Sequence, residues 1–190
     1  AGVPSAVNFT QAAGRALTNI SAGSKLGALG DLIGVDIIVT YPHWPRAWQQ
    51  TADWLRFRDE GGMTREVISH FLFLSERILG PLELVWAEPE YPAQEDLCET
   101  HVAARLVNSA GLPVTIMGSV GGAQPDRQEV TIKGSKTSRR ISEFVIDTVS
   151  SGGQFEPSSS DPTDTRATGL QAQLDDLVLL MNGKPNRLAT

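Results

Sequence analysis

The apolar positions of this chain change period near its middle. Over positions 10–20, Ala13, Leu17 and Ile20 fall on one helical face, and the cluster Ser21-Ala22-Gly23 predicts the end of that helix. A run rich in β-branched residues (Ile33, Val35, Ile37, Ile38, Val39, Thr40) spans 31–41 and stops at Pro42, which predicts a long strand. Positions 43–62 are irregular and hold Trp44, Trp48, Trp54 and the pair Gly61-Gly62. From 64 to 79 the helical period returns. Val67, Phe71, Leu74 and Ile78 form one stripe, Ile68, Leu72 and Leu79 widen it, and Gly80-Pro81 is a stop.

Beyond Pro81 the period becomes two. Strands are predicted at 82–87, 99–108, 114–119, 128–133 and 139–146, and a short alternating run at 5–9 reads the same way. The links 108–113, 121–126 and 134–136 are short and rich in turn residues. They predict antiparallel hairpins between consecutive strands, because parallel pairs need a long crossover. Positions 150–169 are dominated by Ser, Pro, Asp and Gly, so a long flexible loop is expected over 146–169. Leu170, Leu174, Leu177, Val178 and Met181 then mark a last helix that Gly183 ends.

Strands in succession with segregated helices predict an α+β fold in one domain over 1–190. It is a predominantly antiparallel, open-faced β-sheet with helices packed on one face. Val102, Ala104, Leu106, Ile116, Val130 and Ile132 are expected on the uncovered face, where a second copy would bury them with two-fold symmetry.

Charge narrows the partners. Sixteen basic residues against 22 acidic ones give a net charge of −6, which argues against nucleic acid or an anionic membrane as the main partner. A single cysteine, Cys98, excludes an intrachain disulfide and a cysteine-rich metal site, and it fits a reducing, cytoplasmic setting. No apolar run approaches the ~20 residues of a membrane span. The chain opens Ala1-Gly2-Val3-Pro4 and closes Asn186-Arg187-Leu188-Ala189-Thr190, and both ends read as those of a domain cut from a longer protein.

One segment concentrates candidate chemistry: Gly61-Gly62-Met63-Thr64-Arg65-Glu66-Val67-Ile68-Ser69-His70. A glycine pair lets the backbone approach a ligand closely before a helix starts. Glu66 and His70 stand at i and i+4, where a carboxylate would raise the basicity of the imidazole and suit it to acid–base work. The same spacing also occurs in solvated helix contacts without function. Upstream, Tyr41-Pro42-His43-Trp44-Pro45-Arg46-Ala47-Trp48 offers stacking faces and a cation to a polyhydroxylated or anionic ligand, or forms a packed surface loop. His43, His70 and His101 have no metal-ligand spacing.

The segment from Gly61-Gly62 to His70 resembles the Gly-Gly…Asp-x-x-x-His signature in the substrate domain of the Gfo/Idh/MocA family of oxidoreductases. The likeness extends to Val7-Asn8-Phe9 with the following helix and to Lys25-Leu26-Gly27-Ala28-Leu29-Gly30. It continues through Ile132-Lys133-Gly134-Ser135 with Ile141, and through Gln173-Leu174-Asp175-Asp176 to Asn182-Gly183-Lys184-Pro185. Family members begin with a Rossmann domain and a Glu-Lys-Pro whose lysine is catalytic; neither is found here, and the only Lys-Pro, Lys184-Pro185, follows Gly183.

The resemblance implies the C-terminal substrate-binding and oligomerisation domain of a dehydrogenase acting on a hydroxyl of a sugar, polyol or similar small molecule. NAD or NADP would belong to the parent protein, with none bound by this chain alone. His70 matches the histidine at the reacting hydroxyl, and Glu66 stands where the family has Asp, one methylene longer. These two are the catalytic candidates. Arg46, Trp44 and Arg65 are the substrate-binding candidates, and the partners are the small-molecule substrate and further copies of the chain, as a dimer or tetramer through the open sheet face. The alternative is a non-catalytic binding or assembly module of the same fold.

Overall fold

The computed structural model describes residues 3–25, 27–158 and 166–190. Among the described residues there are three α-helices, α1 (Arg15–Lys25), α2 (Ser69–Leu79) and α3 (Arg166–Met181). Eight strands form one sheet: β1 (Leu32–Tyr41), β2 (Leu82–Glu90), β3 (His101–Asn108), β4 (Pro113–Val120), β5 (Arg127–Gly134), β6 (Ser138–Ser142), β7 (Ile146–Ser150) and β8 (Glu156–Pro157). Their order is β2-β3-β4-β1-β5-β6-β7-β8. Every neighbouring pair is antiparallel except β1 with β4. The architecture is the expected α+β type with a mostly antiparallel open sheet.

Several local expectations are corrected. Strands β4 and β5 do not form a hairpin. Strand β1 lies between them, parallel to β4 (Val35↔Val114) and antiparallel to β5 (Val35↔Ile132), and the link 121–126 steps over it. A period-two pattern shows which residues are strands but not which strand sits beside which. The expected strand 139–146 is instead two strands. Glu143 and Phe144, both at positive φ (51° and 67°), turn the chain sharply between β6 and β7, and Val145 N–H donates to Ser142 O at 3.1 Å. The segment 146–169 is correspondingly not one loop, since it contains β7, β8 and the start of α3; residues 159–165 lie outside the described part.

The first helix begins five positions later than its apolar pattern predicts. Residues 10–14 form a turn instead, and Gln11, Ala12 and Ala13 are buried there. The helix also continues through Gly23. Its left-handed terminator is Gly27 (φ 70°), with Ala28 N–H bonded to Gly23 O and Gly27 N–H to Ser24 O, the paired bonds of a Schellman end. The run 5–9 contributes only a bridge between Val7 and Ala189.

The core lies between one face of the sheet and helices α1 and α2. Ile20, Phe71 and Leu74 pack against Val35, Ile37, Val39, Val114, Ile116, Val130 and Ile132. Val102 and Ala104 belong to this cluster too, and half-buried Leu106 packs against it. The six residues expected on the uncovered face are therefore the helix-facing set. Side chains alternate across a strand, so the opposite face carries the residues between them: Arg105, Thr115, Asp36, Thr131 and Arg140 in one cross-strand row, with Met117 beside Ile38 in the next. It is largely polar, and Lys133 Nζ pairs with Asp36 across it at 2.7 Å. Among the described residues, none from α3 belongs to the core cluster, and its stripe Leu170, Leu174, Val178 and Met181 is exposed. Among the described residues, no helix is long and apolar enough to cross a membrane.

Candidate functional site

Strand β1 ends at Tyr41, whose ring is fully buried and tilted against Trp44 at 5.4 Å. The Arg46 guanidinium lies over three rings, 4.6 Å from the centre of Trp48, 5.1 Å from Tyr41 and 5.8 Å from Trp44. Gln49, buried one short turn later, holds it: Oε1 accepts Arg46 Nε–H at 2.9 Å and the Arg46 backbone N–H at 3.3 Å. Among the described residues no carboxylate pairs with Arg46. Its delocalised cation therefore keeps its charge available while its orientation is fixed. Trp44 is anchored from its other end by Nε1–H donated to Leu55 O at 2.9 Å.

The glycine pair serves the fold. A Cβ on Gly61 would lie 2.1 Å from Leu55 O, and one on Gly62 (φ 103°) would lie 2.5 Å from Glu99 Oε2. The close approach expected for a ligand is thus made by the chain itself. Glu99, 8% exposed, accepts the Thr64 N–H at 2.6 Å and caps the helical segment that carries Glu66 and His70.

That segment opens as a π-helical turn, Thr64–Ile68, before α2. The wider turn disturbs the i, i+4 relation on which the Glu66–His70 pairing depends. Among the described residues no hydrogen bond or ion pair joins the two. His70 Nδ1 instead accepts the backbone N–H of Thr10 at 3.1 Å. The imidazole sits edge-on to Phe9 at 5.2 Å and to Phe144 at 5.5 Å. Burial among these rings, together with the Arg46 charge, holds the His70 pKa below its ordinary value. The expected rise in basicity is therefore corrected to a fall: the apolar surroundings and a cation act on the ring, and no carboxylate reaches it.

Tyr41 shares the same field. Burial drives its phenol pKa up. Asp126 and Glu66 add to the rise, and Arg46 and Gln128 oppose it. Gln128 lies near enough to its Oη to act on the pKa, but among the described residues no hydrogen bond of ordinary geometry reaches that buried oxygen. Arg46 thus acts on both Tyr41 and His70, Glu66 acts on Tyr41, and Trp44 packs against Tyr41 and Arg46. Arg65 stands apart, exposed, with its guanidinium on Asp59 O at 2.6 Å.

Phe9, Thr10, Gln49, Glu99 and Phe144 were not legible as site residues. Gln49 had a local signal, its spacing of three from Arg46; the others meet the site only through tertiary packing. A cavity of about 220 Å³ lies beside two of them, Thr10 and Phe144, and is lined by Gln11, Leu170 and Gln173 among others.

A dinucleotide pyrophosphate requires a strand, a glycine-rich loop and a free helix N-terminus in succession. After β1 the loop is instead rich in Trp and Pro, and the next helix N-terminus is occupied by the Glu99 carboxylate. These residues do not fit NAD or NADP. Among the described residues no cluster of His, Cys, Asp and Glu is suited to a metal ion.

No family model and no curated protein matches the chain by sequence. Solved structures do match in fold. The WlbA dehydrogenase of Bordetella pertussis, solved with NADH and UDP-GlcNAcA, covers 92% of this chain at 20% identity and a TM-score of 0.65. An oxidoreductase of Agrobacterium radiobacter, solved with NAD+, L-tartaric acid and magnesium, covers 97% at 14% identity and 0.72. KijD10, a 3-ketoreductase of Actinomadura kijaniata solved with NADP, covers 95% at 13% identity and 0.68. The chain spans only 52%, 57% and 54% of those three. Nearly all of this chain therefore shares its fold with about half of each of several oxidoreductases.

Proposed function

We propose that the chain is the substrate-binding and oligomerisation domain of a Gfo/Idh/MocA-type oxidoreductase, acting on a hydroxyl or carbonyl of a sugar, polyol or related small molecule. One observation carries this reading: Arg46, just past the end of β1, is fixed by Gln49, pairs with no carboxylate among the described residues, and acts electrostatically on His70 of α2. A fixed guanidinium among aromatic rings suits an acidic or polyhydroxylated ligand. In a parent protein of that type a nicotinamide dinucleotide would supply the hydride chemistry, and residues other than the described ones would hold it. Charge develops on the reacting oxygen as its proton leaves, so besides the group that takes the proton a hydrogen-bonding group would sit on that oxygen. His70 is that group in this chain, and Arg46 and Trp44 orient the rest of the ligand.

The missing Glu66–His70 contact favours the second reading, a binding or assembly module that keeps the fold without the chemistry. Titration of the isotope-labelled chain with nucleotide sugars, aldoses, polyols and NADH separates the two. The catalytic-domain reading expects one sugar class to shift the Trp44 indole and the His70 ring together, while NADH shifts neither. Silence across the sugar and polyol panel, or NADH binding tighter than on the order of 100 µM, overturns it.

Self-association belongs to the same proposal. The uncovered sheet face mixes Arg105, Asp36, Lys133 and Glu129 around Ile38 and Met117, the last 60% exposed. Both signs of charge around a small apolar centre suit a two-fold contact, in which each patch meets its own image.

A further inference from the structure

One peptide group joins two distant helices at the site. Gln173, on α3, donates Nε2–H to the carbonyl of Phe9 at 2.7 Å. The other end of that peptide, the N–H of Thr10, donates to His70 Nδ1 on α2 at 3.1 Å. The peptide is therefore polarised from both sides. A donor on its oxygen makes its N–H a better donor, and hydrogen bonds in series reinforce one another. The segment is held in place around it: Val7 N–H bonds Ala189 O at 2.9 Å, and buried Gln11 donates to Phe144 O at 2.5 Å.

A neutral imidazole has one donor and one acceptor nitrogen. With Nδ1 committed as acceptor of the Thr10 N–H, the proton resides on Nε2. We propose that Gln173, acting through the Phe9–Thr10 peptide, is a positioning residue that fixes His70 as its Nε2–H tautomer, so that His70 meets the substrate oxygen as a hydrogen-bond donor and not as the proton-abstracting base. A donor at that place stabilises the charge of an alkoxide or polarises a carbonyl, and it leaves proton abstraction to another group. The inference rests on the reading of His70 as the group that contacts substrate; the tautomer itself does not depend on that reading.

The test is nitrogen-15 NMR of the imidazole rings in this chain at neutral pH, with His70 assigned by its loss in His70→Gln. The expected spectrum shows Nε2 protonated, Nδ1 bare, and a coupling between Thr10 N and His70 Nδ1 across the hydrogen bond. In Gln173→Leu the preference for the Nε2–H tautomer should fall by up to roughly twofold, because losing the bond to Phe9 O weakens the Thr10 N–H donor by about 10–30% and leaves its own bond to His70 in place, and Gln173→Asn should recover little, because the shorter arm falls short of Phe9 O. A wild-type His70 with its proton on Nδ1 overturns the proposal without any variant. So does a tautomer ratio unmoved in a folded Gln173→Leu. If that variant does not fold, the wild-type spectrum and the Thr10 coupling decide. Ligand titrations that leave His70 untouched count against the functional reading alone, and a wrong tautomer counts against this inference alone.

Discussion

Arg46 and His70 lie on different elements, one on the loop after β1 and the other on α2, yet the guanidinium of the first lowers the pKa of the second. Burial is the larger cause and the charge of Arg46 the smaller. The pair is a coupled site: an anionic ligand that neutralises Arg46 also makes His70 easier to protonate.

Removing the cation should therefore move the imidazole. In Arg46→Met the His70 pKa should rise toward, without reaching, the ordinary 6.5, because burial remains. An NMR titration of the ring protons reads this directly. A pKa that stays in place would show that the coupling does not act in solution.

The same shift sets a pH dependence of stability. The folded pKa of His70 lies below the unfolded 6.5, so the unfolded state binds the proton first. The contribution is complete above 6.5 and is lost as pH falls through the lower, folded value. Protonation also removes the acceptor of the Thr10 N–H. The melting temperature of wild type should drop more steeply than that of His70→Gln between pH 7 and about 5.5. Parallel curves would exclude His70 as the titrating group.

Glu143 holds a left-handed conformation that favours Asn or Gly, and it is exposed. Glu143→Asn should raise stability by about 1 kcal/mol, most of the left-handed penalty of one residue. Chemical denaturation measures it. A loss of stability would mean that the Glu143 side chain makes a compensating contact.

Arg139 and Asp147 pair across β6 and β7 through two hydrogen bonds, with side chains 14% and 11% exposed. Breaking such a pair from one side strands a charge. Asp147→Ala should cost about 3 kcal/mol, whereas Arg139→Met with Asp147→Leu should cost far less. Equal losses in the two variants would show that the charges are solvated after all.

If the uncovered sheet face joins two copies, Met117→Glu should halve the mass seen by light scattering at micromolar concentration and leave the fold intact. A wild-type chain that stays at the mass of one copy on concentration would remove the oligomer from the proposal.

The residue pattern alone determined most of the helices and the strands β1 to β5, because burial imposes period 3.6 on one and period 2 on the other; it missed the turn between β6 and β7 and the short β8. The stripe Val67, Phe71, Leu74 is buried as read, and Gly80 and Gly183 end their helices where expected. Periodicity is blind to partners, however. That β1 lies between β4 and β5 is decided by which strand edges pair, and that Val102, Ala104 and Ile116 face the helices is decided by which of two equivalent faces the helices cover. The candidate site divides in the same way. Arg46, Trp44, Glu66 and His70 were legible because their chemistry is local to short motifs. What acts on His70 came from tertiary contacts: Thr10, Gln173 and Phe144 lie far from it along the chain. The expected Glu66 contact failed because it rested on ideal helical spacing, and the π-helical turn, with its wider repeat, departs from that spacing.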